Sequence, residues 1–383
     1  MDFSLPEELQ MLRAQLRRFV NEDMIPNERQ TCDGEKLKPE WRAKFEARTK
    51  ELGLWMMDVP EEYGGLGMGL MASVVVWEEF ARTIALPARG HGITGPHIRS
   101  NLYDLEGELK EKYLLPALRG EKIACFGQTE PDAGSDPGSM RTTAVRDGDD
   151  YIINGTKRFI TGAGDADFIQ LMAATDRSKG SRGGISSFLV DMDSPGITLA
   201  TQYETMMGDR PWEIVFDNVR VPAKNMVGAE GEGFKFAQKW LGYGRVHHGA
   251  RALGVAERCL EMATSYAKQR VTFGKPLAER QAIQFMLTDM YVELEAARLL
   301  VYRAANLIEA GHQARTEAYM CKYFADEMAF KAADMCMQIH GGIALTTDLP
   351  IEKMWRQQRS YRITEGATEV MKMVIARDIL KRY

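Results

Sequence analysis

Between Pro6 and Val20 the apolar residues Leu9, Leu12, Leu16 and Phe19 recur at helical spacing against a polar face, which predicts an amphipathic helix. Ser4, with Glu7 three residues on, has the form of a capping box for that helix. Further helices are predicted over 39–52, stopped by Gly53, and over 70–83 and 106–115. Between them, the stretch from Pro60 to Gly67 is too rich in glycine for a helix and reads as a loop. Near Lys122 the period changes. Tyr151 to Thr156 reads as a strand closing on an Asn154-Gly155 hairpin signal. Ser187 to Val190 is a short apolar run ahead of the turn residues Asp193 to Gly196, and Glu213 to Pro222 is another strand. After Gly233 the helical period returns over 237–269, 281–310, 315–339 and 368–382. The order is helices over 1–121, a β-domain over 122–229, and a helical bundle over 230–383. That is an α+β chain with segregated layers.

Composition narrows the class. The 383 residues are 45% hydrophobic and 27% charged, an ordinary globular balance. A net charge of −5 gives no support for a nucleic-acid partner. No apolar run approaches the ~18 residues of a membrane span. The acidic, amphipathic start shows no secretory signal, so a cytoplasmic location is expected. Cys32, Cys125, Cys259, Cys321 and Cys336 are scattered without metal-ligand spacing, and read as reduced thiols rather than a zinc site. The 23 methionines fit soft core packing or an adaptable ligand cavity.

The most specific local signal runs from Ala124 to Asp136, Ala-Cys-Phe-Gly-Gln-Thr-Glu-Pro-Asp-Ala-Gly-Ser-Asp. A strand edge leads there into a turn of small and hydroxyl residues that can offer N–H and O–H groups to a carbonyl-bearing ligand. Further along come Asn154-Gly155-Thr156-Lys157-Arg158-Phe159-Ile160-Thr161, Phe216 to Pro222, Gln269 to Gly274, Gln338-Ile339-His340-Gly341-Gly342 and Glu365-Gly366. In this order, from Phe3 to Ile379, the motifs resemble those of the acyl-CoA dehydrogenase family. The resemblance implies a helical N-terminal domain, a β-barrel-like middle domain and a C-terminal four-helix bundle, in a homotetramer holding non-covalent FAD.

The resemblance also implies roles. Phe126, Gln128, Thr129, Phe159 and Thr161 would face the flavin, with Ser135 between the flavin and the CoA thioester arm. Arg270 would pair with the FAD pyrophosphate, as a guanidinium fork suits, with Phe273 and Gln281 beside it. Gln338, Gly341 and Gly342 would approach FAD held mainly by a neighbouring subunit, and Thr368 and Glu369 would complete the cofactor set. Gly242, Tyr243, Arg245 and Gly366 would line the acyl and CoA channel. Glu365 would remove the α-proton of an acyl-CoA thioester from a dry site that raises its pKa, the β-hydride passing to flavin N5. The product would be a trans-2-enoyl-CoA, and the electrons would leave to an electron-transfer flavoprotein.

Some members of the family place the base just before the arginine that here is Arg245. That position is Gly244, so no second candidate base exists. Three features depart from the family pattern: Ala367 in place of threonine, a short stretch from Met206 to Trp212, and the pair His247-His248. Two alternatives remain open at this point: a non-catalytic partner subunit, or an oxygen-using flavoenzyme on the same fold.

Overall fold

The computed structural model describes residues 4–88 and 92–383, with the side chain of Lys239 outside that description. Phe3, where the resemblance begins, lies outside the described residues. Two compact units form, Met1–Gly95 together with Gly242–Tyr383, and Pro96–Leu241.

The first unit is helical. Glu7–Phe19 buries Leu12, Leu16 and Phe19, the predicted stripe. Phe19 packs edge-on against Phe45 and Phe80, ring centres 6.0 and 6.2 Å apart. Pro6, not Ser4, is the residue ahead of the first turn. Proline pre-sets the backbone for helix entry. The bundle is built from Gly233–Gln269, which crosses the boundary between the units, Gln281–Glu309, Arg315–His340 and Thr368–Arg382. A further helix, Ile351–Tyr361, has no counterpart in the sequence reading. Its buried residues include Gln357, Gln358 and Ser360, which interrupt the apolar period that would have shown it.

Gly69–Phe80 is buried nearly all round and carries Glu78 and Glu79 inward, both fully buried. Arg17 reaches Glu79 at 2.7 Å, and Arg298 bridges Glu78 at 2.9 Å and Glu257 at 2.8 Å. Buried carboxylates persist only when paired in this way. Gly254 makes the crossing of this helix with Gly233–Gln269 possible: a Cβ there would lie 1.9 Å from the Glu78 carbonyl oxygen.

The second unit is a mixed eight-stranded sheet. Its order is Met226–Val227, Ile185–Asp191, Phe168–Ala174, Thr143–Asp147, Asp150–Ile160, Trp212–Pro222, Ile197–Gln202, with Ala124–Gly127 parallel to Phe168–Ala174. The Asn154-Gly155 pair is not a hairpin turn. It lies inside the eleven-residue strand Asp150–Ile160, at a bulge facing Trp212–Pro222, while the hairpin forms at Asp147/Asp150. The Asn154 side chain accepts from the Asn218 backbone N–H at 2.8 Å, so it serves the bulge. Gly155 is required because any Cβ would sit 2.4 Å from the Thr142 hydroxyl. The predicted helix near 106–115 runs on to Leu118 through a five-residue π-helical segment, Lys110–Leu114. Among the described residues no helix is long and apolar enough to cross a membrane.

Candidate active site

Glu365 sits in the loop between Ile351–Tyr361 and Thr368–Arg382 with φ +53°, a left-handed conformation rare outside glycine. The loop is over-determined. Ile363 N–H and Thr364 N–H both donate to the Ser360 carbonyl, and Thr368 N–H donates to Arg362. The buried Lys322 ammonium donates to the carbonyls of Tyr361, at 2.9 Å, and Gly366, at 3.1 Å. Strain of this kind survives only when the surroundings enforce it, and it concentrates at functional positions.

The Glu365 side chain reaches the first bundle helix. A Cβ on Gly244 would lie 2.7 Å from Glu365 Oε2, so the carboxylate occupies the notch that this glycine leaves. The other oxygen, Oε1, faces His248 Nε2 at 3.3 Å. The side chain keeps 35% exposure, so the carboxylate stays open to solvent on one side. Burial alone raises this carboxyl. His248, with weaker help from His247 and Lys322, outweighs burial and holds it down at about 2. The sequence reading expected a raised value, and the reversal comes from the His248 contact and its neighbours, which no motif marks.

Of the residues expected along the substrate channel, Gly242 meets nothing within 4 Å of a notional Cβ and Tyr243 is exposed. Gly366 is left-handed at φ +104°. Arg245 is buried, its guanidinium 4.1 Å over the Tyr319 ring. His247 lies tilted against Trp77, ring centres 4.3 Å apart, while His248 turns to Glu365, so the pair serves two different neighbours.

The expected cofactor residues of this unit cluster at helix ends. Arg270 closes the first bundle helix, and Leu277 N–H donates back to its carbonyl at 2.8 Å. Phe273 stands 98% exposed at φ +47° in the small hairpin between them. Gln281 opens the next helix, and Gln338, Gly341 and Gly342 are exposed where the third ends. Tyr266 stacks on His340 at 4.4 Å there. Thr368 is buried and donates to Glu327 at 2.8 Å, while Glu369 is exposed.

In the sheet unit, the buried pair Lys157–Glu130, 2.8 Å apart, draws two motifs together. Lys157 Nζ also donates to the Gln128 carbonyl at 3.2 Å, and Arg158 N–H donates to Thr129 O at 2.8 Å. Gln128 and Thr129 are thereby fixed beside Phe159, which is 52% exposed at φ +59° and rests on Tyr203. Phe126 packs on Trp240 at 5.2 Å. Thr161 and Ser135 are exposed. Within the sheet unit, exposed Phe159 in enforced left-handed backbone and the buried unpaired Gln128 Oε1 fit a planar ring with polar edges; within the helical unit, the exposed Arg270 fits a pyrophosphate. Trp212 and Arg210 open the Trp212–Pro222 strand, where Trp212 covers Gly164. Among the described residues no cluster of His, Cys, Asp and Glu could hold a metal, and the five cysteines are free thiols.

Sequence reasoning left His248 open and passed over Lys322 and Asp326. The available signal was the four-residue step from Gly244 to His248, which puts both on one helix face.

Comparison with known proteins agrees along the whole length. Residues 6–121, 125–219 and 231–380 match the acyl-CoA dehydrogenase N-terminal, middle and C-terminal domains. The chain is 39% identical to a 3-(aryl)acrylate reductase of Clostridium sporogenes over 98% of this chain and 99% of that one. It is 38% identical to the mitochondrial short-chain specific acyl-CoA dehydrogenase of Mus musculus, over 99% and 92%. The butyryl-CoA dehydrogenase structure from Megasphaera elsdenii superposes with a TM-score of 0.86 at 34% identity, over 99% and 100%. A solved relative of the same fold holds FAD. The chain belongs to the acyl-CoA dehydrogenase family, FAD-dependent oxidoreductases acting on a CH–CH bond.

Proposed function

We propose that the protein dehydrogenates an acyl-CoA thioester at its α,β bond, with Glu365 as the base that takes the α-proton. The observation that carries the reading is the Glu365 carboxylate, held in a strained loop, lodged in the Gly244 notch and still partly open to solvent. A short acyl chain is the first substrate to try, because relatives matched over the full length are named for short-chain acyl-CoA.

An α C–H beside a thioester is weakly acidic, so the base must be ionised and already aimed. The left-handed backbone aims it, and the His248 contact holds its carboxyl low, so it stays ionised. Bound substrate expels water from the cleft, which strengthens the desolvation that raises the carboxyl and brings its basicity closer to that of the α-carbon. The backbone N–H of Glu365 is the group that supports charge developing on the thioester oxygen. FAD, when bound, supplies the two-electron acceptor. Phe126, Gln128, Thr129, Ser135, Phe159 and Thr161 are the residues of the sheet unit that would contact it. Arg270, Phe273, Gln281, Thr368 and Glu369 are those of the helical unit that would do so, and Gln338, Gly341 and Gly342 would serve a neighbouring subunit of a tetramer. Gly242, Tyr243, Arg245 and Gly366 lie along the acyl and CoA channel. An electron-transfer flavoprotein is the expected electron acceptor.

A second reading runs the same site backward. The relative from Clostridium sporogenes is named a reductase. In that direction Glu365 returns the proton to the α-carbon, and the electron donor sets the net flow. Anaerobic titration of the FAD-loaded protein with saturated and unsaturated acyl-CoA thioesters separates the cases. Bleaching of the blue flavin band by a saturated thioester supports dehydrogenation. Re-oxidation of the chemically reduced protein by an enoyl thioester, with no bleaching by the saturated one, supports reduction. Neither response refutes the proposal.

A further inference from the structure

Glu365 meets one side chain of opposite character within ion-pair distance among the described residues, and that side chain is His248. The imidazole is buried, with 8% of its side chain exposed, and its ring lies against Tyr361 at 4.6 Å. Tyr361 is itself pinned, its hydroxyl donating to the Ala88 carbonyl at 2.6 Å. Behind the imidazole, Nδ1 has no hydrogen-bond partner and faces the fully buried Asp326 carboxylate at 4.0 Å. Asp326 is paired with Lys322 at 2.9 Å, the same lysine that donates to the backbone on both sides of Glu365. One chain therefore runs from the buried Lys322, Asp326 and His248 out to the partly exposed Glu365. Nothing in the removal of an α-proton by Glu365 requires it.

We infer that His248 is a positioning residue for Glu365, holding Oε1 while Gly244 makes room for Oε2, and that Asp326 fixes the imidazole from behind. This rests on Glu365 being the base. A carboxylate with two oxygens placed independently cannot rotate away from the substrate, and a donor held against it sets how readily it takes a proton. The other titratable and charged groups facing this cluster are Arg245 and His247 on the same helix, Lys322, Asp326 and Tyr319 on Arg315–His340, and Tyr361. With the imidazole gone, burial dominates Glu365 and its carboxyl rises.

The test uses the FAD-loaded protein and two variants, His248→Leu and His248→Gln, the second keeping a donor of similar reach without charge. Glu365 is titrated by difference infrared spectroscopy of its carboxyl band, assigned by its loss in Glu365→Gln. The expected result is a midpoint raised by at least about one pH unit in both variants. The acid limb of flavin bleaching by butyryl-CoA moves with it. At neutral pH His248→Leu is slowed about 10- to 100-fold, and His248→Gln recovers part of that rate. Unmoved midpoints in folded, FAD-loaded variants overturn the inference. Should His248→Leu fail to fold, His248→Gln alone decides the titration. A wild-type protein that no thioester bleaches, yet whose Glu365 midpoint moves as expected, overturns the assignment of the reaction and leaves the positioning contact standing.

Discussion

Replacing Gly244 with alanine separates stability from function at one position. The glycine lies within the helix Gly233–Gln269 with an ordinary helical φ, so alanine strengthens the helix by about 0.8–1 kcal/mol. Its Cβ, however, would stand 2.7 Å from Glu365 Oε2. An ordinary carbon–oxygen contact is about 3.4 Å or more, so the carboxylate must retreat by roughly 0.7 Å. The retreating atom is the far end of a flexible side chain, so the fold loses little. The reaction loses much, because a misplacement near 1 Å costs about 100-fold. We expect Gly244→Ala to melt at or above the wild-type temperature, to keep its FAD, and to bleach about 10- to 100-fold more slowly with a saturated acyl-CoA. Wild-type bleaching in this variant would refute the placement of the carboxylate over Gly244.

Gly254→Ala in the same helix is expected to act in the opposite sense, destabilising by about 1–3 kcal/mol because its Cβ would overlap the Glu78 carbonyl; thermal unfolding checks it, and an unchanged midpoint contradicts the close crossing. Lys157→Met strands the buried Glu130 carboxylate and should cost about 3–5 kcal/mol, with weaker FAD binding as the Gln128–Thr129 turn loosens; calorimetry and FAD titration read both. Lowering the pH should leave Glu365 ionised well below the ordinary carboxylate range in the substrate-free protein, since its folded value near 2 lies under the usual 4.5. Any stability from its pairing is thus present above that ordinary value and lost only as pH falls toward 2. The carboxyl infrared band assigned to Glu365 should therefore stay ionised at pH 4.

The helices of the first unit were legible because Leu12, Leu16 and Phe19 are buried at the spacing that the sequence displays. The ordered motifs made the family and Glu365 legible as well. Local turn chemistry misled where tertiary structure overrode it: Pro6 displaced Ser4 as the entry to the first helix, and the bulge absorbed Asn154-Gly155. The strand Phe168–Ala174 is buried along its whole length and so lacks an alternating signature. Ile351–Tyr361 was hidden by its buried glutamines. Lys322, Asp326 and His248 were hidden for a related reason. On a helix they read as polar interruptions, and the contact of His248 with Asp326 exists only once two separate helices pack together.

The central claim is that Glu365 is the base. FAD-loaded wild type and Glu365→Gln should be mixed anaerobically with butyryl-CoA in a stopped-flow instrument, following the blue flavin band. The account predicts rapid bleaching of the wild type and a rate lower by about 100- to 10,000-fold in the variant, with FAD content unchanged. Bleaching of Glu365→Gln at the wild-type rate would contradict it.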